Sequence, residues 1–264
     1  MGELPTVSAT VNGHEVRYFD SGGDGPPVLL GHGYFLDRTV FAAQVEVLAP
    51  RYRVICWDAP AHGETPGRAE PLTYWDLARD LLALMDHLDL PQAVVGGISQ
   101  GGFIALRLAL LAPERVKALV LMDTEATPCA EADRAGYEGM FAALREAGPV
   151  DDLLVPLSAQ LLGDGPHAAE WRQRWREREL PLGTTVRCLL DRDDVSDRLA
   201  EITCPALLIW GSEDVSLPRD RMDLLADRLP KAGEVQVITG AAHTPALTHP
   251  DQVNPLLTRF LEDL

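Results

Sequence analysis

The sequence predicts an α/β fold: a mostly parallel, eight-stranded sheet with helices on both faces and an all-helical insertion after the sixth strand. Three observations predict it. From Val28 to Asp123, short continuous apolar runs alternate with helical stretches, as strands covered on both faces require. Between Thr124 and about Asp197 the alternation stops, and it returns at Ala206. Glycine-rich turns separate several apolar runs from the next helical stretch.

Each element has its own signal. Thr6–Val11 and Glu15–Asp20 read as a hairpin turning at Asn12-Gly13. Strands and helices then alternate: Val28–Gly31, Phe41–Leu48, Arg53–Asp58, Tyr74–Leu88, Ala93–Ile98, Gln100–Ala112 and Lys117–Asp123. The helix from Tyr74 sets Ala78, Leu81, Leu82, Met85 and Leu88 at three- and four-residue steps, an amphipathic face. The insertion reads as helices over Glu131–Ala147, Val150–Leu162, Ala168–Glu179 and Thr184–Asp191. Two strands close the chain, Pro205–Gly211 and Val235–Ile238. The expected division is a core of residues 1–124 and 198–264, with a cap of residues 125–197.

The stretch Gly97-Ile98-Ser99-Gln100-Gly101 lies between a strand and a helix. A serine at such a turn is strained and exposed. Its neighbours two before and two after then lack side chains, to clear the incoming strand and outgoing helix. A serine nucleophile needs a base, and the base an orienting acid. Asp214 comes after the seventh strand in Gly211-Ser-Glu-Asp, and His243 after the eighth in Ala242-His-Thr-Pro. Glu213 and Asp123 are rival acids. His32 and His62 sit on loops near the pocket and brace them. Gly33 lets a turn bring N–H groups toward the nucleophile, so the backbone of Tyr34 and of Gln100 can form an oxyanion hole.

With these marks the chain resembles the α/β-hydrolase superfamily, among its serine members with a helical cap, the esterase and enol-lactonase branch. The marks are His32-Gly33, Asp58-Ala-Pro-Ala-His62-Gly63, the Ser99 turn, Gly211-Ser-Glu-Asp214 and Ala242-His243. Two positions depart from the usual pattern: Ala61 replaces a glycine, and Thr248-His249 precede Pro250 where a glutamate is frequent. The resemblance implies catalytic Ser99, Asp214 and His243 and hydrolysis of a carboxylic ester or lactone through an acyl-enzyme. Relatives that open epoxides or displace halide carry aspartate at the nucleophile position, which Ser99 argues against. Hydrolytic carbon–carbon cleavage, perhydrolase or haloperoxidase-type activity, amidase action and a ligand-binding receptor stay open. The cap sets which substrate fits. Tyr34, Phe35, Tyr137, Phe141, Trp171 and Trp175 are candidates for the pocket; Tyr137, Phe141 and the two tryptophans equally suit packing between cap helices.

Composition bounds the rest. The 264 residues are 46% hydrophobic, enough for a sizeable core. A net charge of -17 argues against nucleic acid and anionic membranes as partners. No apolar run of about 20 residues exists to span a bilayer, and Met1-Gly-Glu-Leu-Pro5 carries no secretory pattern. Cys56, Cys129, Cys188 and Cys204 lack metal-ligand spacing and read as free thiols, pointing to a reducing cytoplasm. The expected partner is a small-molecule substrate, with no cofactor or metal needed, and the chain a monomer or homodimer. Activity is expected to rise with pH through the ordinary histidine range, about 6.5, because only a neutral imidazole acts as base.

Overall fold

The computed structural model describes residues 4–264; Met1–Glu3, which begin the segment read as lacking a secretory pattern, lie outside them. β1 (Val7–Val11) and β2 (His14–Asp20) form the expected hairpin. Its turn places Asn12 and Gly13 at φ 49° and 82°, the left-handed geometry that this residue pair tolerates. The remaining strands are β3 (Pro27–Gly31), β4 (Arg53–Trp57), β5 (Ala93–Ile98), β6 (Val116–Met122), β7 (Ala206–Gly211) and β8 (Gln236–Ile238). They make one sheet in the order β1-β2-β4-β3-β5-β6-β7-β8. Pairing is antiparallel up to β4 and parallel beyond it. β5 is buried at every position, so both faces of the sheet are covered there.

The covering helices are α1 (Ala42–Leu48), α2 (Tyr74–His87) and α3 (Gln100–Leu111). α2 begins with a reciprocal cap, in which the Thr73 hydroxyl accepts from Asp76 N–H and the Asp76 carboxylate accepts from Thr73 N–H. It buries Leu77, Ala78, Leu81, Leu84 and Met85. Leu82, expected on this face, is only half-buried. The stripe that packs on α3 and β1 is centred between Leu77 and Leu84, and Leu82 sits at its margin. Four helices come after β6: α4 (Glu131–Ala147), α5 (Asp151–Leu162), α6 (Pro166–Glu177) and α7 (Thr184–Leu190). α6 begins two residues earlier than the pattern suggested, because Pro166 opens its first turn, where the missing N–H costs nothing. After β7 come α8 (Arg219–Arg228), α9 (Pro245–Thr248) and α10 (Pro250–Glu262). All four cysteines are free, with Cys56 and Cys188 buried. Among the described residues no helix is long and apolar enough to cross a membrane.

The loop after β4 is tightly built. Asp58 is fully buried; its Oδ1 accepts from Arg38 N at 2.7 Å, its Oδ2 from Glu64 N at 3.1 Å, and its carboxylate pairs with the Arg38 guanidinium. A Cβ on Gly63 would lie 2.2 Å from the Asp58 carboxylate, so only glycine fits there. Ala61 holds φ 61°, a conformation that glycine adopts freely and alanine at a cost of about 1 kcal/mol. The departure at this position therefore stores strain without changing the turn. Ala61→Gly is expected to raise the melting temperature by about 1–2 °C, the gain in backbone freedom of the unfolded chain offsetting part of the relief. Scanning calorimetry checks this; a lower melting temperature would show that the alanine methyl contributes packing that outweighs the strain.

Candidate active site

Ser99 stands between β5 and α3 at φ 53°, ψ -114°, a strained setting for a residue with a side chain. Its backbone is over-determined. Ser99 N–H donates to Met122 O at 2.9 Å, and Ser99 O accepts from Gly102 N, Phe103 N and Thr124 Oγ1 at 2.8–3.0 Å. The flanking glycines serve a purpose other than the expected one. A Cβ on Gly97 would lie 2.0 Å from Gly31 O, and one on Gly101 would lie 2.1 Å from the same oxygen. Their obstacle is neither the incoming strand nor the outgoing helix, but the last carbonyl of the neighbouring strand β3.

The loops after β7 and β8 bring Asp214 and His243 together. His243 Nδ1 donates to Asp214 Oδ2 at 2.8 Å, and both side chains are buried. The other carboxylate oxygen, Oδ1, accepts from Ser216 N at 2.8 Å and Leu217 N at 3.2 Å. A carboxylate that only accepts leaves the proton on Nδ1 and a free lone pair on Nε2. Of the rival acids, Glu213 is exposed on the same turn. Asp123, at φ 43° beyond β6, instead accepts from Gly211 N at 2.8 Å through Oδ1. Burial, and then the neighbouring Asp214 charge, push the Asp123 carboxyl well above the usual carboxylate range. Donor atoms of Asp123, Asp214 and His243 lie within 4.8 Å of one another. Asp214 and His243 are engaged with each other, and one oxygen of each carboxylate accepts from backbone N–H groups, while Asp123 Oδ2 has no partner among the described residues.

Ser99 and His243 line one cavity of about 50 Å³. No hydrogen bond joins Ser99 Oγ to His243 among the described residues, as is common before substrate binds. The expected Tyr34, Phe35, Tyr137 and Phe141 line this cavity. Trp171 and Trp175 do not: they are buried between α6 and the 35–37 loop, beside a separate small cavity. Their four-residue spacing reports a buried helix face, and that face looks at the loop rather than at the nucleophile. The sequence reading missed Phe103 on α3, Leu157 and Leu161 on α5, and Arg192. The leucines carried a helical-spacing signal; Arg192 carried none. Arg192 pairs with buried Glu125, donates to Leu189 O at 2.8 Å and lies 5.0 Å over the Phe103 ring. A wider surface depression, about 530 Å³, lies elsewhere, between α2 and the first hairpin around Arg68 and Asp80. It holds no nucleophile.

Among the described residues, neither Tyr34 N–H nor Gln100 N–H donates to a protein acceptor. Gln100 opens α3, and the turn bearing Tyr34 abuts the serine: a Cβ on Gly33 would lie 3.6 Å from Ser99 Cβ. The two loop histidines brace this region. His32 Nδ1 donates to Gly33 O at 2.7 Å while its Nε2 accepts from Ala59 N at 3.0 Å. His62 Nδ1 donates to Pro60 O at 2.9 Å. Burial pushes both imidazoles below the ordinary histidine value, His62 to about 3. His62 is therefore neutral in the folded protein at pH 5, whereas the same side chain in the unfolded chain takes up a proton near pH 6.5. Neutral His62 is fully compatible with folding above pH 6.5, and stability is lost as pH falls from there toward 3, by at most about 1.4 kcal/mol per unit; His32, lowered in the same direction, adds to the loss. Urea midpoints at pH 7, 6 and 5 are expected to fall, and less steeply for His62→Gln. Equal slopes would place the proton uptake on other groups.

Residues 26–250 match the family described as the alpha/beta hydrolase fold. The chain is 33% identical to the pimeloyl-[acyl-carrier protein] methyl ester esterase of Chromobacterium violaceum, over 91% of this chain and 96% of that protein. Among solved structures, a thermophilic esterase from Thermogutta terrifontis superposes with a TM-score of 0.85 at 28% identity, over 98% of each chain. The enol-lactonase from Burkholderia xenovorans LB400 shares the fold, with a TM-score of 0.86 at 24% identity over 97% of this chain and 100% of that one. With its strained serine turn, its strand order and a family match over residues 26–250, the chain belongs to the alpha/beta hydrolase family.

Proposed function

We propose that this protein hydrolyses a small carboxylic ester or lactone through an acyl-enzyme on Ser99. One observation carries the reading: a serine held at a strained turn shares its cavity with a histidine whose far nitrogen is fixed by a buried aspartate at 2.8 Å. In this reading His243 Nε2 takes the Ser99 proton as Oγ attacks the carbonyl carbon. The oxyanion that forms accepts from Tyr34 N–H and Gln100 N–H. The tetrahedral species collapses, and the leaving alcohol takes the proton from His243. Water then attacks the acyl carbonyl, again losing its proton to His243, which returns it to Ser99 Oγ as the acid is released. Asp214 holds the tautomer and balances the imidazolium. The esterases among the relatives support ester chemistry for this chain.

Residues 125–197 act as the cap in this proposal, and their side chains size the substrate. The cavity is small and its walls are mainly aromatic and aliphatic. The charge of Arg192 is met by Glu125. A short, uncharged acyl group suits such a site better than a long chain.

Hydrolysis of p-nitrophenyl acetate, butyrate and octanoate tests the reading, with acetate and butyrate expected to lead. Ser99→Ala is expected to lose about 10⁵–10⁶-fold in kcat while keeping its fold; retained hydrolysis removes Ser99 from the mechanism. Asp214→Asn is expected to lose about 10⁴-fold through the wrong tautomer. Asp123→Asn, isosteric with a protonated acid, is expected to stay within about threefold of the parent. If Asp123→Asn is the damaging change and Asp214→Asn is mild, the acid has been assigned to the wrong carboxylate.

A further inference from the structure

The turn that carries Tyr34 is strained, and its anchors come from the helical insertion. Leu36 N–H donates to Gly33 O at 3.1 Å, closing a four-residue turn with Tyr34 and Phe35 at its centre. Phe35 has φ 65°. The third position of such a turn is normally glycine or asparagine, because a side chain there meets the backbone. A phenylalanine persists at this angle only when its surroundings over-determine it.

The surroundings are residues 174–185. Trp175, buried on α6, donates its indole N–H to Phe35 O at 2.7 Å. The Tyr34 hydroxyl donates to Pro181 O and meets Thr185 Oγ1 at 3.0 Å. Beyond the turn, Asp37 accepts from Arg178 at 2.6 Å, and Thr39 Oγ1 accepts from Arg174 at 2.8 Å. Burial alone would raise the Asp37 carboxyl; the Thr39 and arginine partners outweigh it and hold it below the usual range. The Phe35 ring also packs on Phe141 at 5.8 Å and on Trp175 at 6.2 Å.

We propose that Trp175 is a positioning residue for the oxyanion hole: its indole N–H holds the Phe35 carbonyl and so keeps the Gly33–Leu36 turn in the form that presents Tyr34 N–H beside Ser99. This rests on the function proposed above. Seating of α6 and completion of the hole then become one event. With α6 displaced, Ser99, His243 and Asp214 stay in place, but the second donor for the developing oxyanion is lost.

The test is Trp175→Phe, which keeps a ring and removes the donor. With p-nitrophenyl acetate, kcat is expected to fall about tenfold with KM within about twofold, since the interaction matters only where the oxyanion forms. The affinity of a trifluoromethyl ketone, which forms an oxyanion on the serine, is expected to fall by the same factor. In a Phe35→Gly background the turn needs no anchor, and adding Trp175→Phe is expected to leave kcat unchanged. The milder Arg178→Gln loosens the same loop from a partly exposed position and is expected to lower kcat about threefold; it decides the matter should Trp175→Phe not fold. Unchanged kcat in the folded Trp175→Phe protein, or an equal loss in both Phe35 backgrounds, overturns the proposal. Loss through KM alone makes Trp175 a packing residue and overturns it too. Should Ser99→Ala retain hydrolysis, the underlying function fails first, and the two failures are told apart.

Discussion

The Gly31 carbonyl is the point on which the rest of the molecule is hung. It ends β3, and both glycines flanking Ser99 press against it, leaving no room for a side chain at either position. This contact sets how closely the turn after β5 can sit to β3, and so fixes where the serine stands above the sheet. It also limits the adjoining strand: a Cβ on Gly96 would lie 2.0 Å from Val120 O, so β5 is squeezed from both sides. A single methyl at any of these places would have to push strands apart in an interior that is close-packed. The strained backbone of Ser99 results from this crowding, and the bonds to Met122 and Thr124 hold it there.

Charge is handled in the same way, by local closure. The protein carries a large negative net charge, yet its buried arginines each have a carboxylate partner. Arg38 meets Asp58, and Arg192 meets Glu125. Such pairs contribute little net stability, because desolvation consumes most of their attraction. What they do provide is geometry. Arg38 ties the segment after β3 to the loop after β4, and Arg192 closes one wall of the cavity while presenting no unpaired charge to it.

Much of this was legible in the sequence, for identifiable reasons. Regular apolar runs bounded by glycine marked β3, β5, β6 and β7, since a parallel strand buried on both faces must be apolar throughout. α4 was delimited at both ends, Glu131 and Ala147, because Gly148 stops it. Ser99, Asp214 and His243 each come just beyond a strand, which places the three at the carboxyl ends of the strands. What spacing could not tell was which neighbour a buried face meets. The four-residue spacing of Trp171 and Trp175 suited a pocket face or packing between cap helices, but their partner is the 35–37 loop. Leu82 on α2 failed similarly: a helical stripe is wider than one row of residues. Arg192 was illegible because its role depends on Glu125, 67 residues away in the chain. The glycines at 97 and 101 announced a crowded turn, yet only the strand order reveals that the crowding atom belongs to β3.

The strand order also has a temporal meaning. β1 to β6 occupy adjacent places in the sheet, and all are encoded before residue 123. A nascent chain can thus shape the turn around Ser99 while the ribosome is still making the helical insertion. Asp214 and His243 arrive with β7 and β8 at one edge, the last strands to be made. On the proposed function, a serine turn shaped at that stage would lack the histidine that takes its proton. In the proposed mechanism the serine is armed only when the far edge of the sheet docks, so a half-made chain would be chemically silent.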